Sequence, residues 1–187
     1  VNVLQDFKVT IKGIVPLMHN RYPLDAMMIT KKKPRGTLFN PTEKAKECLY
    51  LDAKGEIYQP SDHVEGALIQ VGSSKSVPGQ GKKTFKDQMK TNLAVMPTEI
   101  PFPNGKDYTV DTRLCVIPAT RGRIPVARPR WDNWQFDFTI RVFDETLLDG
   151  ETVKELLETA GKTKGIGTYR PKFGRFEVTQ FEEINKK

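Results

Sequence analysis

Between Gln135 and Val142 every second residue is large and apolar: Phe136, Phe138, Ile140 and Val142 alternate with Gln135, Asp137, Thr139 and Arg141. A side-chain period of two belongs to a β-strand with one dry and one wet face, and a slip of one residue would turn the whole dry set to water. The run Asp6–Ile14 carries the same pattern, with Phe7, Val9 and Ile11 set against Lys8, Thr10 and Lys12, until Gly13 and Pro16 end it. Strands of this kind need a cover for the dry face, and helices are the expected cover.

The expected helices are amphipathic. Pro41–Leu51 has Asn40 as its N-cap and proline at its first position, with Gly55 closing the turn beyond it and a short strand at Glu56–Tyr58. Ser61 opens a second helix, with Glu65 near its first turn and Val64, Leu68 and Val71 on one face. A polar stretch, Gly72–Gly81, leads to a third helical segment with Phe85, Met89 and Leu93 at four-residue spacing. Gly150–Ala160 forms the last helix, with Val153, Leu156 and Leu157 on its stripe and Gly161 as the expected C-terminal cap. Further strands are expected at Tyr108–Ile117 and Arg175–Phe181. This order fits a single α+β domain over residues 1–187, a ferredoxin-like antiparallel sheet backed by helices and carrying insertions.

Hydrophobic residues at 37% and charged residues at 28% are enough to build a packed core, which excludes a disordered chain. No apolar run has the length of a membrane span, and Val1–Phe7 lacks the layout of a signal peptide, so a cytosolic protein without membrane contact is expected. Cys48 and Cys115 are too few and too far apart for a disulfide framework or a metal site, and two reduced, mostly buried thiols are expected. Neither histidine, His19 nor His63, has a ligand partner at metal-binding spacing, and neither a metal nor a cofactor is expected.

The formal charge of +7 favours a polyanionic partner, and three stretches concentrate it. In Gly161–Val178, Gly165, Gly167 and Gly174 interleave with Lys162, Lys164, Arg170, Lys172 and Arg175. Glycines let a backbone approach phosphate closely and offer N–H donors, while Tyr169 and Phe173 supply faces on which bases stack. In Arg121–Arg130, Arg121, Arg123, Arg128 and Arg130 are spaced along a segment that Pro125 and Pro129 keep extended. Trp134 shares the parity of Phe136 and Phe138 and reads as core; Trp131 is off that parity and reads as a contact for nucleic acid. In Lys75–Lys90, Lys82, Lys86 and Lys90 recur every four residues beside Lys83, which gives either a solvated helix face or a phosphate-binding one.

The C-terminal helix followed by Gly165-Ile166-Gly167, a basic run and Phe173-Gly174-Arg175-Phe176 resembles the glycine-rich signature of the CRISPR-associated RAMP superfamily. The first strand, ending at Gly13 and followed by Pro16-Leu17-Met18-His19, is similar to the opening of such proteins. The chain also looks like small phage and prophage proteins with a comparable start and ending. The RAMP resemblance implies a ferredoxin-like, RRM-related fold that holds RNA, in some members as a filament-forming subunit and in others as a guide-processing ribonuclease. Pro171 departs from the pattern, which is richer in small residues there. For a ribonuclease, the resemblance implies His19 as general base toward a ribose 2′-OH, with Arg21 or Tyr22 beside the phosphate; the other reading of His19 is a residue packed on the sheet.

The expected function is non-enzymatic, largely sequence-independent binding of single-stranded RNA or DNA, with self-association along the strand. A metal-independent ribonuclease and a phage protein that binds an acidic protein partner are the alternatives.

Overall fold

The computed structural model describes residues 4–22 and 38–184. The cluster Lys31, Lys32, Lys33 and Arg35 lies outside the described residues. Both alternating segments are strands, β1 (Gln5–Gly13) and β8 (Gln135–Val142), and they pair antiparallel with Phe7 opposite Ile140 and Ile11 opposite Phe136. β9 (Phe176–Glu183) pairs with the other side of β1, and β4 (Leu93–Met96) with the far side of β8. The resulting four-stranded order is β4-β8-β1-β9. With the helix α2 (Ser61–Gly72) between β1 and β4, and α4 (Gly150–Thr163) between β8 and β9, this is the expected ferredoxin-like arrangement.

The helices cover one face of this sheet. Phe7, Val9, Ile11, Phe136, Phe138, Ile140 and Val142 are buried against them together with Val64, Leu68, Val71, Val153, Leu156 and Leu157. Glu65 does more than begin a helix, since its carboxylate accepts the Val95 N–H at 2.9 Å and ties α2 to β4. The opposite sheet face shows Lys8, Lys12, Gln135, Asp137, Glu177 and Glu182 to solvent. The aromatic rings of β1, β8 and β9 all belong to the helix side, so the open face lacks the stacking platform of an RRM.

The insertions build the rest. α1 (Pro41–Glu47) is shorter than expected but keeps its cap, with Asn40 Oδ1 accepting from Thr42 N–H at 3.1 Å. β3 (Tyr58–Pro60) pairs with β5 (Glu99–Pro101). β2 (Leu17–Met18), β7 (Arg123–Trp131) and β6 (Thr109–Val116) form a separate sheet, of which β6 and β7 are a hairpin arm. The third helix, α3, covers only Lys86–Thr91, because Leu93 already starts β4; Lys82 is outside it, so no basic helix face runs from Lys82 to Lys90. Gly161 is not a cap: α4 continues to Thr163, and Gly161 is where Phe176 of β9 packs against the helix so closely that a Cβ would meet it. Among the described residues no helix is long and apolar enough to cross a membrane.

Candidate nucleic-acid interface

Gly165, at φ +69°, turns the chain out of α4, with its N–H and that of Lys164 both donating to the Ala160 carbonyl at 2.9 Å. The loop then closes on itself. Ile166 N–H donates to the Gly174 carbonyl (2.9 Å), Phe173 N–H to the Tyr169 carbonyl (3.2 Å), and Gly174 N–H to the Pro16 carbonyl (2.8 Å). Thr168 N–H donates to the Met18 carbonyl at 3.0 Å, which docks the loop on the segment after β1. A Cβ at Gly165 would stand 2.7 Å from the Gly174 carbonyl oxygen, and one at Gly174 would fall on that of Ile166. These glycines let backbone approach backbone. The Gly165 and Gly174 N–H groups are spent inside the protein, and are not the phosphate donors expected of them.

What the loop offers a ligand is side chains. Between it and α2 lies a cleft of about 490 Å³ lined by Gln70, Thr163, Lys164, Gly167, Thr168, Tyr169, Arg170 and Pro171. Lys164 and Arg170 are its cations, and Lys172 and Arg175 are exposed on the neighbouring loop surface. The sequence reading missed Gln70 and Thr163, because nothing in a helix's own pattern marks an exposed polar residue as facing a distant loop. The Arg170–Pro171 peptide is cis.

Tyr169 lines the cleft at φ +57°, but one ring face is already taken: the Arg128 guanidinium carbon sits 4.2 Å from its centroid. Its hydroxyl is 2.7 Å from Cys115 Sγ, and burial pushes the phenol pKa up. Phe173 is buried beneath the Arg113 guanidinium, 4.7 Å away, so it has no free face for a base.

The four arginines of the second stretch do not form one track. Arg121 and Arg123 are exposed at the turn of the arm, Arg128 covers Tyr169, and Arg130 is held by carboxylates, at 3.5 Å to Asp111 and 2.7 Å to Asp132. Asp111 also pairs with Arg113, whose hydrogen bond holds its carboxyl below the usual carboxylate range. Lys82, Lys83 and Lys86 are exposed but line no part of the cleft. Cys48 and Cys115 are free and half-buried.

The expectation for Trp131 needs correction, and His19 takes the second of its two readings. Trp131 is 1% exposed, with Nε1–H donating to the Gly105 carbonyl at 2.9 Å; it follows the parity of Ala127 in β7, not that of β8, and cannot stack on an incoming base. His19 is 0% exposed, packed between Tyr50, Phe102 and Trp131, and a ribose hydroxyl cannot reach it. Its Nε2 lies 2.9 Å from Gln59 Oε1, the Gln59 amide nitrogen lies 2.7 Å from His63 Nδ1, and His63 Nε2 lies 3.5 Å from the Tyr50 hydroxyl. Burial pushes His19 down to about 3 and His63 to about 4, so both imidazoles are neutral at pH 7. Among the described residues no cluster of His, Cys, Asp and Glu could hold a metal ion.

No protein-family profile and no curated protein matches the sequence. The fold has counterparts among solved structures. A chain of the Type III-B Cmr-beta complex bound to cognate target RNA superimposes over 97% of this chain with a TM-score of 0.61 and 15% identity. The present chain spans 61% of that one. Cmr6 from Pyrococcus furiosus matches over 95% at 12% identity and a TM-score of 0.48, and a Cas6 product complex over 91% at 16% and 0.35. At such identities the likeness is one of fold alone, and the Cmr-beta chain agrees with an α+β fold of helix-backed antiparallel sheets.

Proposed function

We propose that this protein binds single-stranded nucleic acid without cutting it, through the cleft between α2 and the glycine-rich loop. The observation that carries this reading is the cleft itself, in which Lys164 and Arg170 stand beside the neutral hydrogen-bonding groups of Gln70 and Thr168. Cations grip phosphates irrespective of sequence, and the exposed Lys172 and Arg175 extend the grip along a backbone. The exposed Arg121 and Arg123 give the arm a second basic surface, on which an extended strand or a neighbouring copy on that strand would lie. The like fold of a chain from the Cmr-beta complex bound to cognate target RNA favours RNA as the polymer. Binding without cleavage is favoured by the burial of His19, which leaves the RAMP-type general base without access to a substrate.

The test is fluorescence anisotropy with labelled single-stranded RNA, single-stranded DNA and duplex DNA across a salt series. Preference for a single strand is expected, with an affinity that falls steeply as salt rises. Replacing Arg170 and Arg175 together by alanine is expected to reduce the log–log salt slope by about two, roughly one for each phosphate left without its cation. An unchanged slope would remove the loop from the binding surface. Failure of all three polymers to bind at low salt would leave an acidic protein as the partner of the basic surface.

A further inference from the structure

The arm meets the glycine-rich loop at Tyr169, a non-glycine residue in the left-handed region that only its surroundings can hold there. Those surroundings come from β6 and β7. Arg128 lies 4.2 Å from the ring centroid, with its Nε donating to Asn20 Oδ1 at 3.2 Å, and Cys115 Sγ meets the Tyr169 hydroxyl at 2.7 Å. Arg113 caps the neighbouring Phe173 at 4.7 Å. The next residue along the chain is Arg170, a cation of the cleft.

We propose that Arg128 and Tyr169 are positioning residues, a latch between arm and loop that presents Arg170 across the cleft. Arg128 acts on the ligand through Tyr169 and does not touch it. This rests on the reading of the cleft as a nucleic-acid site. A guanidinium stacks flat on an aromatic ring and an ammonium does not, so lysine is a poor substitute in a latch although it serves well as a phosphate ligand. Tyr169→Gly separates backbone from ring, because glycine accepts the left-handed turn and removes only the side chain.

Binding of single-stranded RNA by the latch variants tests the proposal. Arg128→Lys and Arg128→Ala are expected to weaken affinity alike, by about tenfold as preorganisation is removed, with the salt slope unchanged. Tyr169→Gly is expected to match them, while Tyr169→Phe, which keeps the ring, stays within about threefold of the wild type. The double variant Arg128→Lys/Tyr169→Gly is expected to be no worse than either single change, since one latch is broken twice. Wild-type affinity in Arg128→Lys, together with a slope lower by about one in Arg128→Ala, would make Arg128 a direct phosphate ligand and overturn the proposal.

A second readout needs no nucleic acid. The rate of Cys115 alkylation, followed by peptide mass spectrometry, is expected to rise about tenfold in Tyr169→Gly and Arg128→Lys as the thiol loses its cover. Unchanged Cys115 rates would overturn the latch whatever the binding assay gives. A responsive Cys115 in a protein that binds no single strand would instead defeat the reading of the cleft, and with it the latch's part in binding.

Discussion

Gly174→Ala is expected to open the glycine-rich loop and abolish single-strand binding. The residue sits at φ +75°, and an added Cβ would fall on the carbonyl oxygen of Ile166, the residue whose N–H donates to the Gly174 carbonyl and closes the loop. Left-handed strain costs about 1–2 kcal/mol for a residue with a Cβ, and the overlap adds about 1–3 kcal/mol as in an overpacked core. The backbone can relieve it only by giving up the bonds from Ile166 to Gly174 and from Gly174 to Pro16. Gly55→Ala is the control: that glycine has φ +80° but nothing within 4 Å of a Cβ, so it should show the strain alone. Urea midpoints and anisotropy on the two variants check both parts. Equal effects from Gly55→Ala and Gly174→Ala would mean that the close approach at Gly174 does not matter.

The second large effect is acid sensitivity. His19 and His63 lie in the protein with pKa values of about 3 and about 4, against 6.5 when free. The unfolded chain therefore binds more protons than the folded one across this range, and stability rises with pH. The contribution is present above pH 6.5 and is lost as pH falls from there toward 4 for His63 and toward 3 for His19, at about 1.4 kcal/mol per pH unit for each imidazole. From pH 7.5 to 5.5 the pair should cost about 3 kcal/mol, a large part of the 5–15 kcal/mol typical of a domain. Asp111 and Asp149, whose pKa values are lowered below 3.8, act only below this window. Urea unfolding at a series of pH values tests this, and His63→Gln should roughly halve the slope. A wild-type midpoint that does not move between pH 7.5 and 5.5 would contradict the neutral state of the two imidazoles.

The sheet and its covering helices were legible in the sequence because period and parity are local properties. Phe7 to Ile11 and Phe136 to Val142 announce which face is dry, and the structure buries that face. What was not legible depends on partners distant in the chain. Pro125 and Pro129 argued for an extended segment without saying what it pairs with, and both lie within the paired strand β7. The reason is orientation: the Pro129 carbonyl accepts the His19 N–H at 3.4 Å, so odd-numbered residues of β7 direct their backbone groups toward β2 and away from β6. Prolines at these positions withhold nothing from the β6 pairing. Trp131 was misread for a related reason, since its parity belongs to β7 and the turn before Gln135 resets the count. Gly161 looked like a cap because glycine after an apolar stripe usually is one; only the approach of Phe176 shows why a glycine is needed inside the helix.

The candidate site divides in the same way. Lys164, Arg170, Lys172 and Arg175 announced a basic loop by their density alone, and they stand in or beside the cleft. Arg128 and Arg130 announced the same and serve other ends, because Tyr169 and Asp111, which occupy them, are far off in sequence. Composition reports how much charge a segment carries, and only packing reports which of it is free.

The self-closed loop also bears on the kinetics of encounter. Its hydrogen bonds to Pro16, Met18 and Gly174 are in place before any ligand arrives, so the loop itself does not have to be ordered when a strand lands. Association would then run as a nearly rigid-body collision, its rate set by attraction between opposite charges and slowed directly by added salt. The lifetime of the complex would be governed separately, by the few side chains that line the cleft.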